Sequence, residues 1–368
     1  MKPIVLKVKT KDHTYPIIIG KNLIINLSKI FKKNQINFGK CLIVADNRIN
    51  KNIINKIQNN LNKKKIKVCF FKATEKNKSQ KSIDRILNIL LKKNFNRNDY
   101  LVSIGGGITG DLSGFAASIF KRGLKFINIP TTLLAQVDSS IGGKTGINTP
   151  HGKNLVGSFY QPDLVLSDSN FLKTLPKREI ICGYAEILKH SLIYNKNFFK
   201  FLNNNFLDII RLKSPFIEKA IYESCKIKKN IVQKDEKEKN LRKILNFGHT
   251  FAHAYEATMG YTKKLNHGEA VLLGMSSALK FSFQNKIIKN NELSLIQSHI
   301  LKSKLPNDLN NFFHKKDIKK ILTFMIKDKK NNSKNINLIL LKKIGLPEYK
   351  KQFSSKKIKI FLERELIN

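Results

Sequence analysis

Apolar positions in the first half of the chain come in short alternating or continuous runs. Residues 1–9 alternate in the manner of a half-exposed strand. Continuous apolar runs follow at 41–46, 67–71, 100–104, 126–130 and 164–168, each of a length suited to a buried strand. Over 82–92 the period changes: Ile83, Ile86, Leu87, Leu90 and Leu91 fall on one helical face. Strands alternating with helices predict a mostly parallel sheet covered by helices. After about Lys177 the helical period dominates, over 179–194, 215–234, 244–259 and 268–285, with 336–341 as an isolated strand-like run. The expected fold is an α/β N-terminal domain over 1–177 followed by a mainly α-helical C-terminal domain over 178–368. No internal repeat is visible, and the Lys/Asn-rich stretches 59–65 and 327–335 read as solvated loops or helix ends.

Composition narrows the class. The 368 residues are 41% hydrophobic, with 24 Phe and no Trp, which is enough apolar mass for a sizeable core. No run approaches the roughly 20 apolar residues of a membrane span, and the start lacks a signal peptide's apolar stretch, so no membrane partner is expected. Cys41, Cys69, Cys182 and Cys225 show no metal-binding or redox spacing, and read as reduced, buried thiols of a cytoplasmic protein. The net charge of +43 raises nucleic-acid binding as an alternative. The lysines are spread along the chain instead of forming one arm or stripe, and no aromatic-studded RNA motif accompanies them. No nucleic-acid partner is therefore expected, although anionic small substrates would gain from such a field.

Candidate chemistry concentrates in a few segments. Gly105-Gly106-Gly107-Ile108-Thr109-Gly110-Asp111 follows a strand and opens a helical pattern. Such a turn lets backbone amides and a helix N-terminus meet a phosphate, though it departs from GxGxxG and also suits a tight strand-to-helix turn. Residues 130–146 are rich in Gly, Ser and Thr, with Lys144, and 151–154 add Lys153 and Asn154; these suit a ligand-lining loop better than a core. Glu186 and Lys189 share a helix face, as a surface ion pair or as part of a site. His249, His253 and His267 are three of the eight histidines. The i, i+4 pair His249/His253 could flank a divalent metal, or be ordinary helix residues. Glu186 with His249 and His267 would form a carboxylate-plus-two-imidazole set with open coordination positions, as in a catalytic zinc site. There is no HExxH, which argues against a thermolysin-like protease.

Taken in order, GGGITGDLSGFAAS (105–118), RG (122–123), IPTTLLAQVDSSIGGKTGIN (129–148), GKNLVGSFYQP (152–162), LKTLP (172–176), GYAEILKH (183–190), LNFGHTFAHAYE (245–256) and HGEAV (267–271) resemble the 3-dehydroquinate synthase family. The similarity runs from about Ile43 to Ile344, and Asp328-Lys329-Lys330 also fits. The resemblance implies an NAD-binding α/β domain, a helical metal-binding domain and a site in the cleft between them. It implies Glu186, His249 and His267 as ligands to zinc or cobalt, and turns His253 toward the substrate phosphate. It implies that Asp138, Lys144, Asn154, Lys189, Lys228, Arg242, Asn246 and one of Lys329 or Lys330 line the substrate pocket, and that Arg122 crosses a homodimer interface. NAD would meet Asp46, Glu75 to Lys78, Gly107, Ile108, Thr109, Gly110, Asp111, Thr131, Thr132, Lys144, Lys153, and Phe171, Leu172, Lys173 and Thr174. The chain departs from the family at the 74–78 turn, at Thr109 and Ala135, and at His190, where tyrosine is frequent. The implied reaction takes 3-deoxy-D-arabino-heptulosonate 7-phosphate to 3-dehydroquinate and phosphate by transient oxidation with NAD, β-elimination, reduction and intramolecular aldol closure. A metal-dependent polyol or alcohol dehydrogenase and another sugar-phosphate cyclase are the alternatives.

Overall fold

The computed structural model describes residues 2–327 and 335–367. The chain forms two compact units, one of Met1–Pro176 with Ile217–Lys237, the other of Lys177–Phe216 with Glu238–Asn368. In the first unit, β1 (Ile4–Lys9) and β2 (Thr14–Gly20) form a hairpin, followed by α1 (Leu27–Lys33), β3 (Cys41–Asp46), α2 (Lys51–Asn60), β4 (Ile66–Phe71), α3 (Gln80–Lys92), β5 (Tyr100–Gly105), α4 (Gly107–Ile119) and β6 (Lys125–Pro130). Next come a separate hairpin, β7 (Lys144–Thr149) and β8 (Gly152–Phe159), and the last sheet strand, β9 (Leu164–Asp168). The seven-stranded sheet runs β1-β2-β9-β6-β5-β3-β4, parallel except for β1. The α/β expectation therefore holds.

Strand alternation supplies both faces with apolar side chains. Cys41, Ile43 and Ala45 of β3 join Leu27, Phe31, Ile54 and Ile57 in one core. Leu42 and Val44 join Ile83, Ile86, Leu90, Leu112 and Phe115 in the other. From β3 the chain adds β4 on one side and then crosses to β5 on the other, so the strand order reverses between β3 and β5. In doubly wound sheets, that reversal opens a crevice beyond the carboxyl ends of the two strands. Here those ends carry Asp46 and Gly105.

The second unit begins with α5 (Lys177–Tyr194) and α6 (Lys196–Ile210). The chain then returns to the first unit as α7 (Phe216–Lys234), which corrects the expectation of an unbroken second domain from 178. Tertiary bonds decide this. Ser169 Oγ donates to Glu218 at 2.8 Å, the Cys225 thiol to the Gln136 carbonyl at 3.3 Å, and Lys228 Nζ to the Asp138 side chain at 2.6 Å. Nothing in the helical period of 215–234 says which core it covers.

The second unit continues with α8 (His249–Thr258), α9 (His267–Gln284), α10 (Asn290–Lys302), α11 (Ile318–Lys327), the hairpin β10 (Asn335–Lys343) and β11 (Leu346–Ser354), and α12 (Ser355–Glu365). The helix expected over 244–259 is shorter than its apolar period. Residues Leu241–Asn246 form a 3-10 turn, and Gly248 in the left-handed region (φ 77°) breaks the chain before α8. A Cβ at Gly248 would also press on the Met275 backbone nitrogen at 2.7 Å. Two further close approaches hold the bundle: a Cβ on Gly274 would overlap the Gly248 carbonyl, and one on Gly268 would overlap the Cys182 Cα. All four cysteines are buried and unbridged, as expected. Among the described residues, no helix is long and apolar enough to cross a membrane.

Candidate active site

In the second unit, α5 carries Glu186 and Lys189, the start of α8 carries His249, and the first residue of α9 is His267. One donor atom from each of Glu186, His249 and His267 lies within 4.8 Å of the others. Each imidazole is turned by a partner on its Nδ1. His249 Nδ1 lies 3.2 Å from the Phe247 carbonyl, and His267 Nδ1 lies 3.1 Å from Glu256 Oε2. An Nδ1–H donated to these acceptors leaves each Nε2 as a lone pair, the arrangement that metal-binding histidines adopt. Burial first, and then the Lys189 charge and the two neighbouring imidazoles, hold His249 well below the usual histidine range, which keeps it neutral.

Glu186 supplies the test of fit for a cation. It is 1% exposed, yet neither carboxylate oxygen accepts an aligned hydrogen bond. Its close neighbours are the Lys189 ammonium, paired with Oε2, and His249 Nε2, 3.6 Å from Oε1. A buried carboxylate with one ammonium beside it and no aligned hydrogen bond is only partly compensated. A divalent ion among Glu186, His249 and His267 would satisfy it, and two nitrogens with one oxygen suit zinc or cobalt. His253, one turn from His249, stacks edge-on against it with ring centroids 5.4 Å apart and lies outside the ligand group, so the bare i, i+4 reading of that pair is corrected.

Glu256 was missed at the level of sequence. It stands at i+7 from His249, on the same helical face, and that spacing was the available signal. The α9 start is also built deliberately. Asn266 and Glu269 form a capping box, and Arg178 clamps Glu269 with two bonds of 2.7 and 2.6 Å while donating to the Lys263 and Lys264 carbonyls. Arg242 is buried in the 3-10 turn, and Asn246 Nδ2 donates to Glu238 at 2.9 Å.

The first unit holds a separate set of predicted residues. Gly106 caps α4 without a side-chain bond, leaving first-turn amides for a ligand. The glycine cradle is closely packed from within: a Cβ on Gly105 would strike Thr109 Oγ1 at 2.5 Å, and one on Gly107 would press on Ser139 Oγ at 3.0 Å. First-turn amides without a side-chain cap, at a helix N-terminus beyond the sheet's order reversal, fit the pyrophosphate of a dinucleotide. Thr109 is fully buried beneath them and Ile108 packs on the core, so these two offer backbone, not side chain. The same holds for Phe171 and Leu172, whose side chains are core; Lys173 and Thr174 beside them are exposed. Thr131 is buried, and Thr132 Oγ1 accepts from the Ala135 amide at 3.2 Å.

Polar residues beside the cradle are tied together. Lys78 Nζ donates to Asp111 at 2.6 Å and to Asn154 at 2.5 Å, and Lys153 Nζ is 3.4 Å from Glu75. Burial raises the Asp111 carboxyl against the opposing pull of Lys78. The segment expected as a loop over 130–146 contains a π-helical turn, Ala135–Ser139, that presents Asp138 to Lys228. Lys144 and Arg122 are exposed, Arg122 in the left-handed region at φ 64°. Lys329 and Lys330 lie outside the described residues.

Residues 68–182 match the family described as 3-dehydroquinate synthase N-terminal, and 183–331 match 3-dehydroquinate synthase C-terminal. The chain is 60% identical over 361 residues to the 3-dehydroquinate synthase of Pelagibacter ubique, covering 98% of each. It is 38% identical to that of Bartonella quintana, over 98% of this chain and 97% of the relative. A solved 2-deoxy-scyllo-inosose synthase, complexed with carbaglucose-6-phosphate, NAD+ and Co2+, superposes with a TM-score of 0.87 at 24% identity, covering 99% of this chain and 100% of its own, and shows the shared fold. By its match to both family models and its identity to these relatives, this chain belongs to the 3-dehydroquinate synthase family.

Proposed function

We propose that the chain converts 3-deoxy-D-arabino-heptulosonate 7-phosphate to 3-dehydroquinate and phosphate with NAD and one zinc or cobalt ion. The observation that carries this reading is the convergence of buried Glu186 with two imidazoles oriented through their Nδ1 atoms, in a chain 60% identical to a 3-dehydroquinate synthase. When bound, the ion supplies a Lewis acid for neighbouring hydroxyls and the dinucleotide a reversible hydride acceptor. The chain's own residues bind and orient. In the second unit Lys189, Arg242, Asn246 and His253 offer donors to an anionic substrate, and Lys189 also balances Glu186. In the first unit Lys144, Asn154 and Lys228 are further candidate anion donors, with Asp138 holding the Lys228 ammonium in place. The glycine cradle at α4 takes the pyrophosphate, with Asp46, Glu75, Lys78, Asp111 and Lys153 around it. This alignment of charged groups is the protein's main contribution to rate.

The homodimer reading is also part of the proposal. Leu155, Val156 and Phe159 on β8 are 41, 43 and 45% exposed, and Ile119 is 43% exposed; an apolar group of this kind suits a second copy. Light scattering checks it, and a monomer would remove the role given to Arg122. The four buried, unbridged thiols support a reducing, cytoplasmic setting.

The function is tested by phosphate release from the heptulosonate 7-phosphate. Release should require NAD and metal, cease after chelation and return with zinc or cobalt. Net accumulation of NADH with a simple alcohol would favour a dehydrogenase instead. Turnover of a hexose 6-phosphate in place of the heptulosonate would favour another sugar-phosphate cyclase.

A further inference from the structure

Between α8 and α9 the chain runs through 259–266, which makes turns and has no helix or strand of its own. His267, the first residue of α9, nevertheless comes to Glu186 of α5. One face of α5 is built for that meeting. Arg178, Cys182 and Glu186 are spaced four apart, so they form a single row along the helix, about 12 Å from first to last. The row meets the start of α9 at three levels. Glu186 meets His267 in the ligand group, and Cys182 lies so close to Gly268 that a Cβ there would overlap its Cα. Arg178 closes the far end. Its Nε and Nη2 donate to the two Glu269 carboxylate oxygens at 2.7 and 2.6 Å, and Nη1 and Nη2 donate to the Lys263 and Lys264 carbonyls at 2.7 and 3.0 Å. Glu269 passes this hold to the residue just ahead of His267. Its Oε2 accepts from the Asn266 amide at 3.0 Å, and its own amide donates to Asn266 Oδ1 at 2.8 Å. One guanidinium therefore joins α5, the turn segment and α9.

We infer that Arg178 is a positioning residue for the metal group: it latches the start of α9 onto α5 and so sets the distance between Glu186 and His267. The inference rests on reading Glu186, His249 and His267 as the metal ligands. The contact of Cys182 with Gly268 is the fulcrum. The latch lies on one side of it and the two ligands on the other. Releasing Arg178 frees 263–266 and the first turn of α9 to pivot about that contact, and His267 then moves relative to Glu186. Four bonds from one planar head need a guanidinium; a lysine ammonium keeps the charge but cannot span both carboxylate oxygens and two carbonyls. The Arg178 side chain is 44% exposed, so its loss opens no core cavity, and an ion pair this open adds little to the stability of the fold.

Zinc binding to the full-length, metal-free protein, read by competition with a chromophoric chelator, tests this. His267→Ala marks the site and should abolish the binding. Arg178→Ala should weaken it by about tenfold or more, the scale on which groups behind metal ligands act. The melting temperature of the metal-free protein should fall by only about 2 °C or less. Arg178→Lys should recover the melting temperature and not the zinc affinity. Loaded with cobalt, both Arg178 variants should show a visible absorption band changed in position or intensity from that of the wild type, because the ligands no longer stand at the same distances. Zinc affinity within about twofold of wild type in Arg178→Ala, or affinity recovered by Arg178→Lys, overturns the inference and leaves the metal site standing. Zinc binding that His267→Ala leaves unmoved overturns the metal reading itself.

Discussion

At the residue scale, the proposed metal group would depend on side chains that do not themselves reach an ion. Glu256 sets the tautomer and direction of His267, so Glu256→Gln, which keeps the size and removes the charge, should weaken zinc affinity by about 10- to 100-fold. A chelator competition assay reads this directly, and unchanged affinity would show that His267 needs no such partner. His299 illustrates a histidine with a different task. It is 1% exposed and bonded to Tyr184 Oη at 2.9 Å and Asn203 Oδ1 at 3.1 Å. Burial, with a smaller push from Lys302, lowers it from 6.5 to about 4. The unfolded chain then binds a proton that the folded chain refuses between these two values. The stability His299 contributes is present in full above pH 6.5 and is lost as pH falls toward 4, by about 3 kcal/mol at most. The difference in unfolding free energy between wild type and His299→Gln should vary with pH over that window and level off outside it. A constant difference would mean that His299 is charged in the fold.

At the element scale, the helices are held by close approaches that allow no side chain. Gly268 follows His267 at the start of α9 and lies against Cys182 of α5, one turn before Glu186. Gly268→Ala must push α9 away from α5, costing about 2 kcal/mol or more and separating His267 from Glu186. Thermal melting and zinc affinity should fall together; a variant with normal affinity would show that the bundle absorbs the strain elsewhere. Element types were largely legible because the apolar period states which face is buried: α3, α5 and α9 lie within one or two residues of their expected spans. The ends were less so. The helix expected from 244 starts at His249, because Gly248 in the left-handed region outweighs an apolar period that continues through it. The hairpin of β7 and β8 was read as ligand-lining loop because its small, polar residues carry little strand signal; its pairing comes from backbone bonds and from packing of α4 onto β7, where Gly114 leaves room for Thr145.

At the scale of the whole molecule, the +43 charge acts as a field with no single site of origin. It should draw an anionic substrate, so kcat/KM is expected to fall as ionic strength rises, with kcat little changed. Steady-state kinetics across a salt series checks this, and a flat profile would assign recognition to local contacts alone.

What the amino-acid order determined by itself was the α/β-then-helical plan and the glycine turn at 105–107. Each is written in local periodicity or in a short motif whose residue types have few other uses. What only the tertiary structure decided was which parts meet. It returned α7 to the first unit, placed Glu256 behind His267, buried the side chains of Phe171 and Leu172, and covered Asp46 with Arg48. Those outcomes depend on contacts between segments distant in sequence, or on side-chain direction within one turn, and neither leaves a mark in the spacing of apolar and polar residues.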